Sequence, residues 1–521
     1  MINAHKNLYK DYEELLIKND KLSEENRALR YSQKLLEAQN KTLRAAEEKA
    51  KNELNETITA KDEIIKEKEF EIARLKALLN MDGTNHGIPT SQTPITKKKV
   101  IPNTREKSDK AKGGQVGHKK HKLEKFKDEE ITEYLEHSMD TCPYCTSHAL
   151  KETGAIKEKD ELDFKIVVIK RRHQFKEFEC EKCGKTFHAN IPVTLKEENQ
   201  YGPQVQALEL TLMNQANVTI NKAQNITYGM TNGELDLSEG YISKLQKRAA
   251  KNLTEFKKQI YTEIIKQPLL YWDDTVISVD TKRSCLRFYG TENLAFYTAH
   301  LQKNKDGLDE DNVLNVLPKE TIVEHDHNKV NYNDNYCFTN AECNRHLMGD
   351  LKNIIDNLNH KWAKDMRELL SKTNKKREWK IKKKETEFSA EELKQFDNKF
   401  NDIMLEAMQE NNAERQDKYY VKEELTLITR ILDYKESYLL WVYNFDVPFT
   451  NNLSERALRG AKSKMKASGQ FQNISSASDY ATIRTYIETC HRNGVNVYNA
   501  LLMLSLGKPY TLKQILSGEL E

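Results

Sequence analysis

The sequence predicts a multidomain α+β protein. Three observations support this fold class: a heptad repeat of leucines near the N-terminus, two Cys-x-x-Cys pairs, and a strand-rich segment that is followed by helices. A chain of 521 residues has room for about two to four domains. We predict seven segments, which cover residues 1–80, 81–127, 128–195, 196–265, 266–350, 351–440 and 441–521.

The composition argues against a membrane protein. Charged residues make up 31% of the chain and apolar residues 38%, and no apolar run is long enough to cross a bilayer. The N-terminus "MINAHKNLYKDYEE" lacks the apolar core of a signal peptide, so we expect a cytoplasmic protein with no membrane partner. The eight cysteines should stay reduced there, and close pairs among them therefore indicate metal binding.

Residues 1–80 are predicted to form a coiled-coil oligomerisation helix. From residue 8 onward they contain neither glycine nor proline, and leucines recur every seven residues. The leucines in phase are Leu8, Leu15, Leu22, Leu29, Leu36 and Leu43. Amides at the matching a positions, such as Asn19 and Gln33, weaken the seam but fix its register. We expect a homodimer or a higher oligomer; the alternative is a long helix that packs on its own protein.

Residues 81–127 are predicted to be a flexible basic linker. The segment starts with Gly, Pro, Ser and Thr, and between positions 97 and 127 it has twelve Lys and Arg against three Asp and Glu. Such a run releases counterions when it lies along DNA, whatever the base sequence. We expect DNA contacts from Lys97, Lys98, Lys99, Lys119 and Lys120; the alternative is a solvated linker.

Residues 128–195 are predicted to form a zinc ribbon. The motifs "CPYC" and "CEKCG" supply Cys142, Cys145, Cys180 and Cys183. Four thiolates in two such knuckles match the tetrahedral ligand set of a structural Zn²⁺, with no position left open for chemistry. The alternation in "ELDFKIVVIKRRHQFKEFEC" predicts two strands between the knuckles.

Residues 196–265 are predicted to be a helical DNA-binding segment. Apolar residues recur at spacings of three and four in "GPQVQALELTLMNQAN" and "SEGYISKLQKRAAKNL", and Ser238 suits a helix N-cap. A short helix, a turn and a longer helix fit a helix-turn-helix module. A plain helical connector fits the same periodicity.

Residues 266–350 are predicted to be the first part of an RNase H-like core. "PLLYWDDTVISVD" predicts one strand, and "SCLRFYGTENLAFYTAH" predicts two more with a glycine turn. A short helix in "GLDEDNVLNVLP" and a strand in "TIVEHDHNK" follow. This order matches the first half of an RNase H-like fold, in which the first strand is central. Residues 351–440 would then be a charged helical insertion, and residues 441–521 would complete the core with C-terminal helices.

Three carboxylates are candidates for a metal site in this core. Phosphodiester chemistry with two divalent ions needs carboxylates that converge from distant positions. Asp273 lies on the first strand, Asp326 ends the fourth strand, and Glu455 begins a later helix, so the three would meet at one end of the sheet. Asp274 is the alternative to Asp273, because neighbouring residues on a strand face opposite ways.

The segment "NNLSERALRG" combines Glu455 with arginines at a helix start, and Ser454 is its expected cap. Residues three or four apart share a helix face, so a basic stripe would continue behind Glu455 along DNA phosphates. The cations of this helix expected to contact DNA are Arg456, Arg459, Lys462 and Lys466.

Taken together, the motifs resemble the transposases of the IS66 insertion-sequence family over nearly the whole chain. The resemblance also includes "KGGQVGH", "YGPQVQALELTL", "WDDT" and "YIETCHRNGVNVYNAL". The family's first-strand aspartate falls on Asp273, its second aspartate on Asp326, and the glutamate of its Asn-Asn-x-x-Glu-Arg motif on Glu455. The resemblance therefore implies that these residues form a DDE triad in a core of the retroviral integrase superfamily.

The chain departs from the family pattern at three places. Thr450 stands where the family usually has an aspartate before the two asparagines. Of the family's Cys-x-x-His-x-Arg-Arg element, Cys343 and His346 remain, with Met348 and Gly349 at the arginine positions. The serine-proline motif before the linker is changed to "NHGIPTSQTP".

The resemblance implies a bacterial, nucleoid-associated DNA transposase of a mobile element. Its triad would hold two Mg²⁺, for which Mn²⁺ could substitute, to cut the element ends and join the 3′-OH to target DNA. Its partners would be the terminal inverted repeats, the target DNA and small accessory proteins. The alternatives are a zinc-ribbon, coiled-coil DNA-binding protein with a degenerate, inactive core, and a nuclease of the same fold without strand transfer.

Overall fold

The computed structural model describes residues 61, 63–76, 123–192, 195–414 and 418–520. They divide into two compact units, of which one holds residues 61, 63–76 and 418–422 and the other holds the rest. Residues 63–76 are helical. The heptad leucines and the five linker lysines lie outside the described residues, so the expectations for them remain predictions. No helix in the described ranges is long and apolar enough to cross a membrane.

The larger unit begins with residues 123–192, where the structure has a short antiparallel hairpin. Its strands are β1 (Glu177–Glu179) and β2 (Thr186–His188). Of the two strands predicted between the knuckles, one is present among the described residues: β1, which pairs with β2 across the second knuckle. The preceding alternating segment pairs with no strand in the described chain, and alternation without a partner does not make a sheet. Gly184 has a φ of 64°, a left-handed conformation that glycine adopts without strain.

Helices follow over the segment for which the periodicity predicted them. They are α1 (Pro203–Leu210), continued by a π-helical turn over Thr211–Gln215, α2 (Ile220–Met230), α3 (Glu239–Asn252) and α4 (Thr254–Ile264). Ser238 caps α3 as expected, since its hydroxyl accepts a hydrogen bond from the Tyr241 N–H at 3.1 Å. Residues 231–238 separate α2 from α3, a longer turn than the three or four residues of typical helix-turn-helix motifs.

A five-stranded sheet forms the centre of the larger unit. Its strands are β3 (Leu269–Val279), β4 (Lys282–Gly290), β5 (Ala295–His300), β6 (Ile322–His325) and β7 (Thr339–Glu342), in the order β5-β4-β3-β6-β7. β3, β4 and β5 are antiparallel, whereas β6 and β7 run parallel to β3. The expected strands are present and β3 is central. The short strand β7 was not expected.

Helices cover both faces of the sheet. The helix between β5 and β6 is α5 (Lys305–Asp311), and the helices after the insertion are α11 (Asn452–Ser468), α12 (Ile474–Arg492), α13 (Val497–Ser505) and α14 (Leu512–Ser517). On one face, Tyr271 and Phe288 pack against Leu458 of α11. On the other, Trp272 belongs to a core that includes Ile260 of α4. Because Tyr271 and Trp272 are adjacent on β3, each core takes alternate residues of the central strand.

The region between β7 and α11 is helical, as its charged, periodic sequence predicted. Its helices are α6 (Asn344–Leu358), α7 (Lys361–Lys382), α8 (Ala390–Ala413), α9 (Tyr419–Asp433) and α10 (Lys435–Tyr443). They have a core of their own, with Trp362, Phe400 and Trp441 among its buried residues. Ala341 of β7 also belongs to this core, so the insertion is anchored at the edge of the sheet.

The start of α11 differs from the sequence expectation. Asn451 occupies the N-cap position, and Ser454 lies buried inside the first turn. The Ser454 hydroxyl donates to the Asn451 carbonyl at 3.1 Å instead of accepting from a free N–H. The predicted cap is therefore wrong, because tertiary contacts of Asn451 start the helix earlier than local sequence preference would.

Candidate metal centre

Asp273 lies on the face of β3 that packs against α11. It is in phase with Tyr271 and Ile277, which belong to the core that includes α11 residues. The parallel register pairs Tyr271 with Glu324 on β6, so the same register continued by two residues brings Asp273 beside Asp326. Adjacent parallel strands thus bring two carboxylates together from positions far apart in sequence.

Asp274 points to the opposite face of β3. There its Oδ1 forms an ion pair with the Lys303 Nζ at 2.6 Å. Its backbone N–H donates to Asp273 Oδ1 at 2.7 Å, so the neighbouring residue also orients the Asp273 carboxylate. The two aspartates of "WDDT" therefore differ in environment, and Asp273 is the one that faces Asp326.

Four potential metal ligands converge next to the end of β6. One ligand atom each from Asp326, Cys343, His346 and Glu455 lies within 4.8 Å of the other three. We call these four residues the Asp326 group. Asp326 directly follows β6, Cys343 and His346 stand at the start of α6, and Glu455 is in the first turn of α11. Asp273 is a neighbour of this group and not a member of it among the described residues.

Two buried atoms of the Asp326 group, Asp326 Oδ1 and His346 Nδ1, form a close ion pair at 3.2 Å. Neither atom has a further hydrogen-bond partner among the described residues. Glu324, two residues before Asp326 and on the same face of β6, has both carboxylate oxygens buried and without a hydrogen-bond partner among the described residues. Since buried polar atoms are nearly always paired, these oxygens beside a group of carboxylates favour a cation site.

Burial and mutual repulsion govern the charges of the carboxylates. Burial, followed by the charges of Asp326 and Asp274, raises the pKa of Asp273 well above its usual range. Burial and then Asp326 also raise the pKa of Glu455. Carboxylates that repel one another in a poorly solvated space favour a bound cation, whose charge would offset the repulsion and the cost of burying the carboxylates.

His346 has the opposite balance. Burial lowers its pKa, but the neighbouring Asp326, Glu455 and Asp350 carboxylates outweigh burial and raise the pKa of His346 to about 9. In the metal-free protein at neutral pH the imidazole is therefore protonated. A cation bound between Asp326 and Glu455 would take the place of this positive charge.

Asn451 connects the three chain segments that form the site. Its side-chain Nδ2 donates to the Trp272 carbonyl at 2.9 Å, next to Asp273. Its backbone N–H donates to Cys343 Sγ at 3.2 Å. The helix that carries Glu455 is thus fixed at its first residue to both the central strand and the start of α6.

The predicted basic stripe lies on the exposed side of α11. Arg456, Arg459, Lys462 and Lys466 are all exposed. The positive charge of Lys462 offsets part of the rise in the pKa values of Asp273 and Glu455. This lysine is therefore the stripe member that acts on the carboxylates. Among the described residues, Glu455 forms no ion pair with Arg459.

The four ribbon cysteines form two similarly built knuckles. The backbone N–H groups of Tyr144 and Cys145 lower the pKa of Cys142. The backbone N–H groups of Cys183 and Lys182 do the same for Cys180. Amide donors that favour the thiolate suit metal ligation. The four sulfurs do not form one close ligand group among the described residues, so a shared zinc ion remains a prediction.

Sequence reasoning missed contributors to the site. Cys343 and His346 were noted as remnants of a family motif, without a role as ligands. The Cys-x-x-His spacing was the available signal, because residues three apart at a helix start share a face. The ion pair of Lys303 with Asp274 had no sequence signal.

Carboxylates, an imidazole and a thiol at the edge of this sheet define an α+β protein with a candidate divalent-metal site. A family model described as "Transposase IS66 family" matches residues 198–479. Because this match spans more than half of the chain, the protein belongs to the IS66 family of transposases. The matched segment contains the sheet, the Asp326 group and Asp273, whereas the four ribbon cysteines lie outside it. A search of curated proteins finds no match.

Proposed function

We propose that this transposase cuts and joins DNA by two-metal DDE chemistry with Asp273, Asp326 and Glu455 as its catalytic carboxylates. The observation that carries the proposal is the convergence of these side chains from β3, β6 and α11 on one face of the sheet. Family membership supports a role in DNA cutting and joining. The three residues are those at which the sequence resembles the family triad.

The strand order supports an RNase H-like core. Three antiparallel strands followed by two strands parallel to the first, with the first strand central, is the arrangement expected for that fold. The first carboxylate then stands on the central strand, the second at the end of its parallel neighbour, and the third on a helix that packs across them. The insertion α6–α10 lies between the second and the third carboxylate in the chain.

The carboxylates fit divalent ions by their chemistry. Hard cations such as Mg²⁺ or Mn²⁺ take oxygen ligands, and buried, mutually repelling carboxylates supply them. Two such ions would activate the attacking oxygen and stabilise the leaving oxygen of a phosphodiester. Asp273, Asp326 and Glu455 would hold the ions, while Asn451 fixes α11 so that Glu455 keeps its position relative to Asp273.

The DNA path is proposed to run along exposed cations. On α11 these are Arg456, Arg459, Lys462 and Lys466, beside the carboxylates. On α3, Lys244, Lys247 and Lys251 are exposed while Ile242 and Leu245 are buried, as in a helix that presents one face to DNA. Contacts of this kind to phosphates position the duplex without reading its sequence.

Further parts of the proposal concern the segments outside the core. The two knuckles would hold a structural Zn²⁺, and the heptad region would join two or more copies. The basic linker would grip the terminal inverted repeats, and accessory proteins of the element would assist. These functions place the protein on bacterial DNA in the cytoplasm.

The test is a cleavage assay with purified protein, Mg²⁺ or Mn²⁺, and donor DNA that carries the element ends. We expect Asp273→Asn to abolish cleavage and Asp274→Asn, its neighbour on the opposite face, to retain most of it. Both variants replace one carboxylate with an amide of the same shape, so the pair isolates the role of position.

Two results would contradict the proposal. DNA binding by the wild-type protein without cleavage under any divalent ion would favour a DNA-binding protein with an inactive core. Equal cleavage by the wild type and by Asp273→Asn would exclude the triad as assigned. Cleavage without joining to target DNA would instead indicate a nuclease of the same fold.

A further inference from the structure

The Asp326 group contains two ligands that a site built only from carboxylates does not need. One ligand atom each of Cys343 and His346 lies within 4.8 Å of the ligand atoms of Asp326 and Glu455. Mg²⁺ takes oxygen ligands, whereas imidazole suits transition metals such as Fe²⁺ and Zn²⁺, and thiolate suits Zn²⁺. The mixed donor set therefore bears on which ion the site accepts.

We propose that His346 and Cys343 are ligands of the ion held by Asp326 and Glu455, and that this position selects a divalent transition metal over Mg²⁺. The inference rests on the proposed function, because it refines one of the two metal positions of the same site. It assigns metal-binding roles to two residues outside the carboxylate triad.

The distance between His346 Nδ1 and Asp326 Oδ1 supports ligation by His346. Two ligands about 2.1 Å from one ion are about 3.0 Å apart at a right angle and about 3.4 Å apart at the tetrahedral angle. His346 Nδ1 and Asp326 Oδ1 are 3.2 Å apart. In the metal-free protein these two atoms form an ion pair, and an ion that displaces the His346 proton would find both atoms at ligand spacing.

The surroundings also hold Cys343 in place as a ligand. The Asn451 N–H donates to Cys343 Sγ at 3.2 Å, so the sulfur position is fixed by the start of α11. Burial, followed by the charges of Asp326 and Glu324, raises the pKa of the Cys343 thiol well above its usual range. A thiol in this position becomes a thiolate when a metal binds and the proton leaves.

The site can also close around an ion with small movements. A thiolate 2.3 Å and an imidazole nitrogen 2.1 Å from an ion, on opposite sides of it, are about 4.4 Å apart. The group spans at most 4.8 Å, close to the separation of two such ligands on opposite sides of one ion. Its members come from the end of a strand and the first turns of two helices, positions that Asn451 connects.

The first experiment uses Mn²⁺ and the full-length protein, with pulsed EPR to detect magnetic coupling between the ion and an imidazole nitrogen. We expect nitrogen coupling in the wild type and its loss in His346→Gln. Mn²⁺ affinity should fall by at least about tenfold, because losing even an outer partner of a metal ligand typically costs about 10- to 100-fold. The matched control is His491→Gln, which changes an exposed histidine on α12 and should retain both signals.

The second experiment tests Cys343 with Co²⁺ added to protein that already carries Zn²⁺ in its ribbon cysteines. We expect a thiolate-to-cobalt charge-transfer band in the wild type that is lost in Cys343→Ser. Any exchange of cobalt into the ribbon contributes equally to both spectra, so their difference reports on Cys343 alone.

The outcomes separate this inference from the proposed function. The inference is overturned if Mn²⁺ binds without nitrogen coupling while Glu455→Gln still abolishes binding. In that case the ion is held by carboxylates alone, and the DDE site remains intact. No binding of Mn²⁺ or Mg²⁺ by the wild type overturns both. Because the wild-type spectra need no substitution, a variant that fails to fold does not decide the test.

Discussion

Two acidic clusters on the same sheet differ in how their buried atoms are paired. Asp311, at the end of α5, has a hydrogen-bond partner on each of its two carboxylate oxygens. Its Oδ2 accepts from Arg287 at 3.2 Å and from the Tyr289 hydroxyl at 2.7 Å, and its Oδ1 contacts the His300 ring. We call these four residues the Asp311 network. In the Asp326 group, by contrast, buried acceptors are left without hydrogen bonds.

This difference separates a structural cluster from a functional one. A buried carboxylate with a full set of donors stabilises the fold and has nothing left to offer a ligand. A group of repelling carboxylates with unpaired lone pairs costs stability unless a cation binds. Each cluster combines an Asp with a His, so the presence of these residue types does not distinguish the two clusters, whereas hydrogen bonding does.

Asp326→Asn should produce the largest functional effect. Loss of one metal-binding carboxylate removes several kcal/mol of transition-state stabilisation, about 10³-fold or more in the rate of DNA cleavage. The melting temperature should change little, because Asp326 repels Asp273 and Glu455 while it attracts His346. Cleavage rate and thermal melting measured on the same preparation check this prediction, and retained cleavage would contradict it.

Asp311→Asn should produce the largest effect on stability. The change leaves the buried Arg287 without its charged partner, and breaking a buried ion pair on one side costs about 3–5 kcal/mol. Chemical denaturation measures this loss. The Mn²⁺ affinity of the folded fraction should equal that of the wild type. If Asp311→Asn instead lost metal binding and kept its stability, the Asp311 network would be the functional cluster.

Asn451→Ala should affect both stability and cleavage, because Asn451 positions α11 without being a ligand. Loss of its hydrogen bond leaves the buried Trp272 carbonyl unpaired, at a cost of about 1–3 kcal/mol in unfolding free energy. A shift of Glu455 by about 1 Å would lower cleavage by about 10²-fold. Asn452→Ala, at the exposed next position, is the matched control and should retain wild-type cleavage.

Lys464 on α11 lies between these two situations, because it is a buried cation that has hydrogen bonds but, among the described residues, no ion-pair partner. Its Nζ donates to the Val218 carbonyl at 2.9 Å, and burial lowers the pKa of Lys464 from 10.5 to about 8. Between these two pH values the unfolded chain carries one proton more than the folded chain at this site. Unfolding free energy should therefore rise with pH there, by about 1.4 kcal/mol per unit at most.

The substitution Lys464→Met removes this titration and should flatten the pH dependence of stability between pH 8 and 10.5. Urea denaturation at several pH values measures the slope. Lys466→Met, on the exposed side of the same helix, is the matched control and should keep the wild-type slope. An unchanged slope in Lys464→Met would show that the lysine is not the group responsible.

Local features of the sequence predicted the elements that carry the site. The apolar, β-branched residues around "WDDTV" predicted the central strand, and the order of the following strands predicted a core with that strand in its centre. The spacing of apolar residues predicted the helices before the sheet, and Ser238 caps α3 as expected. These features depend on the conformational preferences of residues that are close together in the chain, and these preferences can be read from the sequence.

One strand of the ribbon region and the cap of α11 were predicted wrongly for one shared reason. Alternation predicted two strands before Cys180, but a strand also needs a partner; β1 finds one in β2 beyond the second knuckle, whereas the segment before β1 pairs with no strand among the described residues. Ser454 is a good capping residue, but the contacts of Asn451 with Trp272 and Cys343 set the start of the helix. In both cases a distant partner outweighed a local preference.

The sequence by itself determined four strands of the central sheet (β3, β4, β5 and β6), most of the helices, and the residue types available for metal binding. Only the tertiary structure decided that Asp273 rather than Asp274 faces Asp326, because the packing of α11 against one face of β3 distinguishes the two. The tertiary structure also brought Cys343 and His346 to Glu455. The physical reason is that periodicity sets which residues share a face, whereas long-range packing sets what that face meets.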